Sequence, residues 1–204
     1  MADPNTLFDL SGRVACVTGA SSGLGQQAAS ALAAAGAQVI GVARRAEALS
    51  DWAERIGPKA ATLSADLSER SQIKEIAAQI AAPFGAPDIV VHAAGINTRE
   101  TADNVTDEGW DITLNLNLAA PFFLSQALVS GMKAKGWGRI VNIIGGGGPN
   151  PNAGYILGGS FNAALLNFTR SLAKDCAPDN VLVNGVNPGP TDTPRWQSLV
   201  EQNA

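Results

Sequence analysis

The chain has 204 residues, with 14 Lys and Arg against 18 Asp and Glu and a formal net charge of −4. That length suits a single domain over residues 1–204, and 46% hydrophobic with 16% charged residues excludes a disordered chain. The acidic balance argues against a nucleic-acid partner, which needs clustered Lys and Arg, and no apolar run reaches the roughly 18 residues of a membrane span.

In chain order, the start lacks the charged-then-apolar pattern of a secretory signal. A Val-rich run at 13–18 reads as a strand and holds Cys16. With Cys176 it makes two cysteines, best read as buried free thiols of a cytoplasmic protein. Apolar residues at three- and four-residue spacing then predict helices over 26–35, 46–56, 71–82, 107–135 and 162–176. Short apolar runs at 38–43, 60–65, 88–92, 139–144 and 181–186 predict strands between them. They carry little charge and much Val and Ile, as strands buried on both faces of a parallel sheet do. Six strands alternating with helices predict an α/β fold, a doubly wound parallel sheet of the Rossmann type. No metal-ligand cluster stands out.

The segment Thr18 to Gly25 (TGASSGLG) follows the first strand and opens the first helix. Gly19, Gly23 and Gly25 permit a sharp turn and close approach to a ligand, with Ser21, Ser22 and Leu24 between them. The helix start offers N–H groups to a pyrophosphate, so this is a dinucleotide-binding loop. After the second strand, Ala43 stands where a chain preferring NAD carries an acid, and Arg44 and Arg45 follow. A guanidinium matches a phosphate, so NADP(H) is the preferred cofactor, through Arg44, with NAD(H) possible. Arg45 reads rather as a solvated residue opening a helix.

With these features the chain resembles the short-chain dehydrogenase/reductase family over nearly its whole length. Asp66-Leu67 resembles the family's adenine contact, and His92-Ala93-Ala94-Gly95 its Asn-Ala-Ala-Gly segment, with His for Asn. Asn117 matches the Asn of its catalytic set. Residues 139–142 (RIVN) and Asn187-Pro188-Gly189 match later landmarks. The resemblance implies cofactor contacts from Ala93, Gly95, Pro188, Gly189, Thr191 and Thr193, with Thr193 at the nicotinamide carboxamide. It also implies a small carbonyl or alcohol substrate. A homodimer or homotetramer would pack through the helices at 107–135 and 162–176.

The family's chemistry uses a Ser, a Tyr and a Lys four residues after that Tyr. Aligned on the downstream helix and on 139–142, those positions fall on Gly145, Gly158 and Asn162. A phenol with its ordinary pKa of about 10 is a poor base near neutrality, which is why the Lys matters. The sole tyrosine, Tyr155, lies one turn before Gly158. It either swings toward the nicotinamide or packs at the helix entrance. His92 either titrates near neutral pH or is a hydrogen-bonded structural residue. Asn162 can bind a ribose but supplies no charge. The run 145–148 leaves a wider pocket or forms a mobile loop. Catalytic candidates are therefore Asn117 and Tyr155.

Relatives continue past the Pro-Gly segment with a lid and a seventh strand, whereas this sequence stops at Ala204. The expectation is a fold shortened at the C-terminus, with a helix beginning in 195–204 and an exposed sixth strand. Two functions fit: an NADP(H)-dependent oxidoreductase with a degenerate catalytic set, or a catalytically inactive NADP(H)-binding sensor or assembly subunit. A lyase or isomerase has no supporting residue.

Overall fold

The computed structural model describes residues 8–97, 99–194 and 196–197. Its centre is a parallel six-stranded sheet in the order β3-β2-β1-β4-β5-β6. The strands are β1 (Val14–Thr18), β2 (Gln38–Ala43), β3 (Ala60–Ser64), β4 (Ile89–His92), β5 (Gly138–Ile143) and β6 (Val181–Val186). The helices are α1 (Gly23–Ala34), α2 (Ala46–Ile56), α3 (Ile73–Ile80), α4 (Asp107–Leu114), α5 (Ala120–Lys135) and α6 (Ile156–Cys176).

Alternation along the strands divides the core between the two faces. In β1, Val14 and Cys16 point toward α3 and α5, where Ile76, Leu124 and Met132 pack. Ala15 and Val17 point toward α1 and α2, where Ala29, Leu49 and Trp52 pack. Trp52 donates from Nε1 to Ser30 Oγ at 3.1 Å, tying α2 to α1. The doubly wound arrangement is as the sequence predicts.

Burial on both faces holds for the central strands and fails at the edges. β3 is only partly buried, and in β6 Val181 and Val183 are covered while Leu182 and Val186 are exposed. Among the described residues each edge strand has one neighbour, and most of the packing over β6 comes from α6.

Helix boundaries also shift. The expected long helix at 107–135 is continuous but contains a wider π-turn, Asn115–Ala119, between α4 and α5. By length and composition Asp107–Lys135 is apolar enough to cross a membrane, yet Leu116, Ala120, Leu124 and Met132 bury it against the sheet. α6 starts at Ile156, six residues before the predicted start, because Gly158 and Gly159 weaken the apolar period there. The stretch expected as one helix at 71–82 is a short 3₁₀ turn, Arg70–Gln72, leading into α3. Of the helix expected in 195–204, all but residues 196 and 197 lies outside the described residues.

The register aligns the carboxyl ends of the central strands. Thr18 lies beside Val42 and His92, and His92 beside Asn142. The strand order reverses between β1 and β4, where doubly wound folds open their ligand crevice.

Candidate active site

A cleft of about 710 Å³ opens at this row of strand ends. Every residue singled out from the sequence as a cofactor contact lines it, as do Asn117 and Tyr155. At one end lies the glycine loop. Gly19 has φ +71°, and a Cβ there would stand 2.7 Å from the Ala93 carbonyl oxygen. Neither the backbone nor the space admits a side chain. A Cβ on Gly25 would strike the Gly19 carbonyl, so α1 packs directly on the loop. Ser22 precedes α1 with no side-chain cap, which leaves the first-turn N–H groups for a ligand.

Thr18 fixes the opposite wall. Its Oγ1 accepts from the amides of Ala93 and Ala94, both at 3.1 Å, and sets the chain as it leaves β4. Asn117 fixes the next residues. Its Oδ1 accepts from the Ile96 amide and its Nδ2 donates to the Ile96 carbonyl, each at 2.9 Å. Asn117 is buried within the π-turn; such turns often occur at functional sites. With both amide ends engaged, Asn117 positions the Gly95–Ile96 backbone. It offers no proton-transfer group.

The end of the cleft beside β2 carries two arginines. Arg44 Nη1 stands 3.8 Å from Asp66 Oδ2. Burial works against the Asp66 carboxylate, but the Ser68 amide and hydroxyl and the Arg44 charge outweigh it and lower its pKa. Arg45 is exposed and opens α2, as expected, and its side chain also reaches the glycine loop. Its Nε and Nη2 donate to Ser21 Oγ at 3.2 and 3.0 Å, and Nη2 donates to Ser22 Oγ at 2.6 Å. The spacing is legible in sequence only once the fold brings the end of β2 against the glycine loop. Across the cleft, the segment after β6 folds over that loop. A Cβ on Gly23 would lie 3.5 Å from the Thr193 methyl group.

His92 proves to be a buried structural residue, with Nε2 2.9 Å from Ser125 Oγ. Desolvation pushes its pKa down to about 4, so it is neutral near pH 7 and does not titrate there as one reading had it. Cys16 and Cys176 are buried free thiols; burial raises the Cys16 pKa to about 12, leaving it unreactive. The described residues hold no His, Cys, Asp and Glu cluster suited to a metal.

At the far end of the cleft, Gly145, Gly158 and Asn162 lie together. A Cβ on Gly145 would be 2.8 Å from Asn162 Nδ2. Gly158 is buried beneath Tyr155, which lies at the cleft wall in its place. Arg99, Ile144 and Leu165 also line the cleft and were not singled out from the sequence. They lie in loops or on a helix face without a motif.

An open α/β sheet with a glycine loop, an arginine pair beside that loop and a pocket at the strand reversal defines a dinucleotide-dependent class. The short chain dehydrogenase family model matches residues 13–204, and the chain belongs to that family. It is 35% identical over 195 residues to the 3-oxoacyl-[acyl-carrier-protein] reductase of Escherichia coli, covering 94% of this chain and 79% of that protein. A 3-oxoacyl (acyl-carrier-protein) reductase from Agrobacterium tumefaciens, solved with NADP bound, superposes with a TM-score of 0.92 at 32% identity. That match covers 99% of this chain and 79% of the other. The L-sorbose reductase of Gluconobacter frateurii, complexed with NADPH and L-sorbose, superposes with a TM-score of 0.90 at 30% identity, covering 96% and 76%.

Proposed function

We propose that this chain is an NADP(H)-dependent oxidoreductase acting on a carbonyl or alcohol carbon of a small-molecule substrate, with a catalytic set that departs from the family's. The observation that carries the cofactor choice is the arginine pair at the ribose end. Arg45 is held by Ser21 and Ser22, and Arg44 is balanced by Asp66. Two guanidiniums and a serine hydroxyl form a donor set for a 2′-phosphate. The relatives solved with NADP and NADPH support the same choice.

The dinucleotide would lie with its pyrophosphate at Ser22–Leu24, its adenine by Asp66–Leu67 and its nicotinamide toward Pro188–Thr193. When bound, the cofactor supplies the hydride. The protein holds the substrate against it, excludes water and manages one proton. Asn117 keeps the Gly95–Ile96 wall in place, and Tyr155 is the candidate acid. The reading includes a homo-oligomer packed through α4, α5 and α6, and a cytoplasmic setting consistent with buried thiols.

A second reading is a catalytically inactive NADP(H)-binding protein. It is favoured by Gly145, Gly158 and Asn162, which supply neither hydroxyl, phenol nor charge. NADPH consumption separates the two. The oxidoreductase reading expects absorbance loss dependent on both carbonyl and protein, with acetoacetyl-coenzyme A, L-sorbose or ethyl 4-chloroacetoacetate. Tight NADPH binding without turnover on any of them would favour the inactive protein.

A further inference from the structure

The glycine at 158 is filled from elsewhere. Tyr155 sits at the N-cap of α6, and its ring folds back over the first turn. A Cβ on Gly158 would coincide with the Cε2–Cζ edge of that ring. On the other edge, a Cβ on Gly147 would lie 2.7 Å from Cδ1 and Cε1. The two glycines thus form a slot as thick as one aromatic ring. The slot directs the Tyr155 hydroxyl to Asn162, whose Nδ2 donates to it at 3.4 Å. Gly145 and Gly146 line the same cleft; the Asn162 amide covers Gly145, whereas a Cβ on Gly146 would meet nothing within 4 Å.

We infer that Tyr155 is the proton donor and acceptor of this enzyme, a phenol supplied one helical turn early and positioned by Gly147, Gly158 and Asn162. The inference rests on the oxidoreductase reading above. A tyrosine at 158 would carry its hydroxyl a full ring length beyond its Cβ, whereas the Tyr155 hydroxyl lies close to where that Cβ would be. The acid is therefore set back toward α6. The substrate oxygen reaches it from the side of Gly146, where no side chain intervenes.

In the reducing direction, hydride arrives at the carbonyl carbon and the π pair of the C=O bond moves onto oxygen. That oxygen takes the proton of the Tyr155 hydroxyl, giving the alcohol and a phenolate. The Asn162 amide donates a hydrogen bond to the phenolate without adding charge, and solvent at the cleft mouth returns the proton. Oxidation runs the same steps backward. Tyr155 is the catalytic group, while Gly147, Gly158 and Asn162 position it.

Because Tyr155 is the only tyrosine, protein labelled with ¹³Cζ-tyrosine gives one resonance that reports this ring. Parent, Tyr155→Phe and Gly158→Ala are compared for NADPH binding by nicotinamide fluorescence, for reduction of the three carbonyls named above, and for melting temperature. We expect Tyr155→Phe to bind NADPH within about twofold of parent and to lose at least about 100-fold in kcat, the usual range for a lost acid–base group. Gly158→Ala should displace the ring, move the single resonance and lower kcat comparably while still binding NADPH. If that variant melts before assay, the Tyr155→Phe result decides alone. Turnover by Tyr155→Phe within about threefold of parent overturns the inference. A parent that binds NADPH and reduces none of the carbonyls overturns the oxidoreductase reading above, and the inference falls with it. Failure of the parent to bind NADPH overturns the oxidoreductase reading itself.

Discussion

At His92 a single side chain couples the fold to pH. Its pKa lies near 4 in the native protein, against 6.5 for the ordinary residue, because burial beside Ser125 disfavours the cation. The unfolded chain therefore binds the proton first. Stability is fully present above pH 6.5, falls as pH drops toward 4, and loses nothing more from this residue below that. The loss reaches about 3 kcal/mol by pH 4. His92→Asn keeps a donor for Ser125 and removes the titration. Its melting temperature is expected to be flatter than parent between pH 6.5 and 4, measured by calorimetry; parallel profiles would exclude the role. Arg44 and the glycine loop were legible in the sequence because their chemistry is local. Arg45 was not, since its partners Ser21 and Ser22 lie on another turn. Tyr155 was legible as the only phenol, but its ring position depends on Gly158, read from sequence as a loss, and on Gly147, read only as part of a glycine run. A tyrosine cannot be restored at 158 while Tyr155 keeps its slot.

Among the elements, the π-turn Asn115–Ala119 carries the most specific demand. It turns Asn117 inward, where one amide satisfies both polar groups of Ile96. Asn117→Ala leaves a partly buried N–H and C=O without that partner and is expected to cost about 2–3 kcal/mol. Denaturant unfolding should show a lower midpoint, with weaker NADPH binding as the Gly95–Ile96 wall loosens; an unchanged midpoint would contradict the assignment. The run 107–135 was legible as helix from its apolar period, which continues through the wider turn. The turn itself was not, because one extra residue per ring leaves no compositional mark. The early start of α6 was hidden for the opposite reason, since two glycines argue against a helix that tertiary packing nonetheless completes.

For the whole molecule, the parallel sheet sets function by bringing four distant segments to one edge. The glycine loop after β1, the arginines after β2, the Ala93–Ile96 wall after β4 and the Pro188–Thr193 segment after β6 surround a single cleft. The doubly wound layering was legible because six apolar runs alternate with five helix-patterned stretches. The exposed edges were less so, because Leu182 and Val186 look the same in sequence as their buried neighbours. The cleft's central claim is cofactor choice. Calorimetric titration of the parent and of an Arg44→Ala/Arg45→Ala variant with NADPH and with NADH tests it most directly. The parent is expected to bind NADPH more tightly than NADH by at least about tenfold, or roughly 1.4 kcal/mol, with the preference lost in the variant. Equal or tighter binding of NADH by the parent would contradict it.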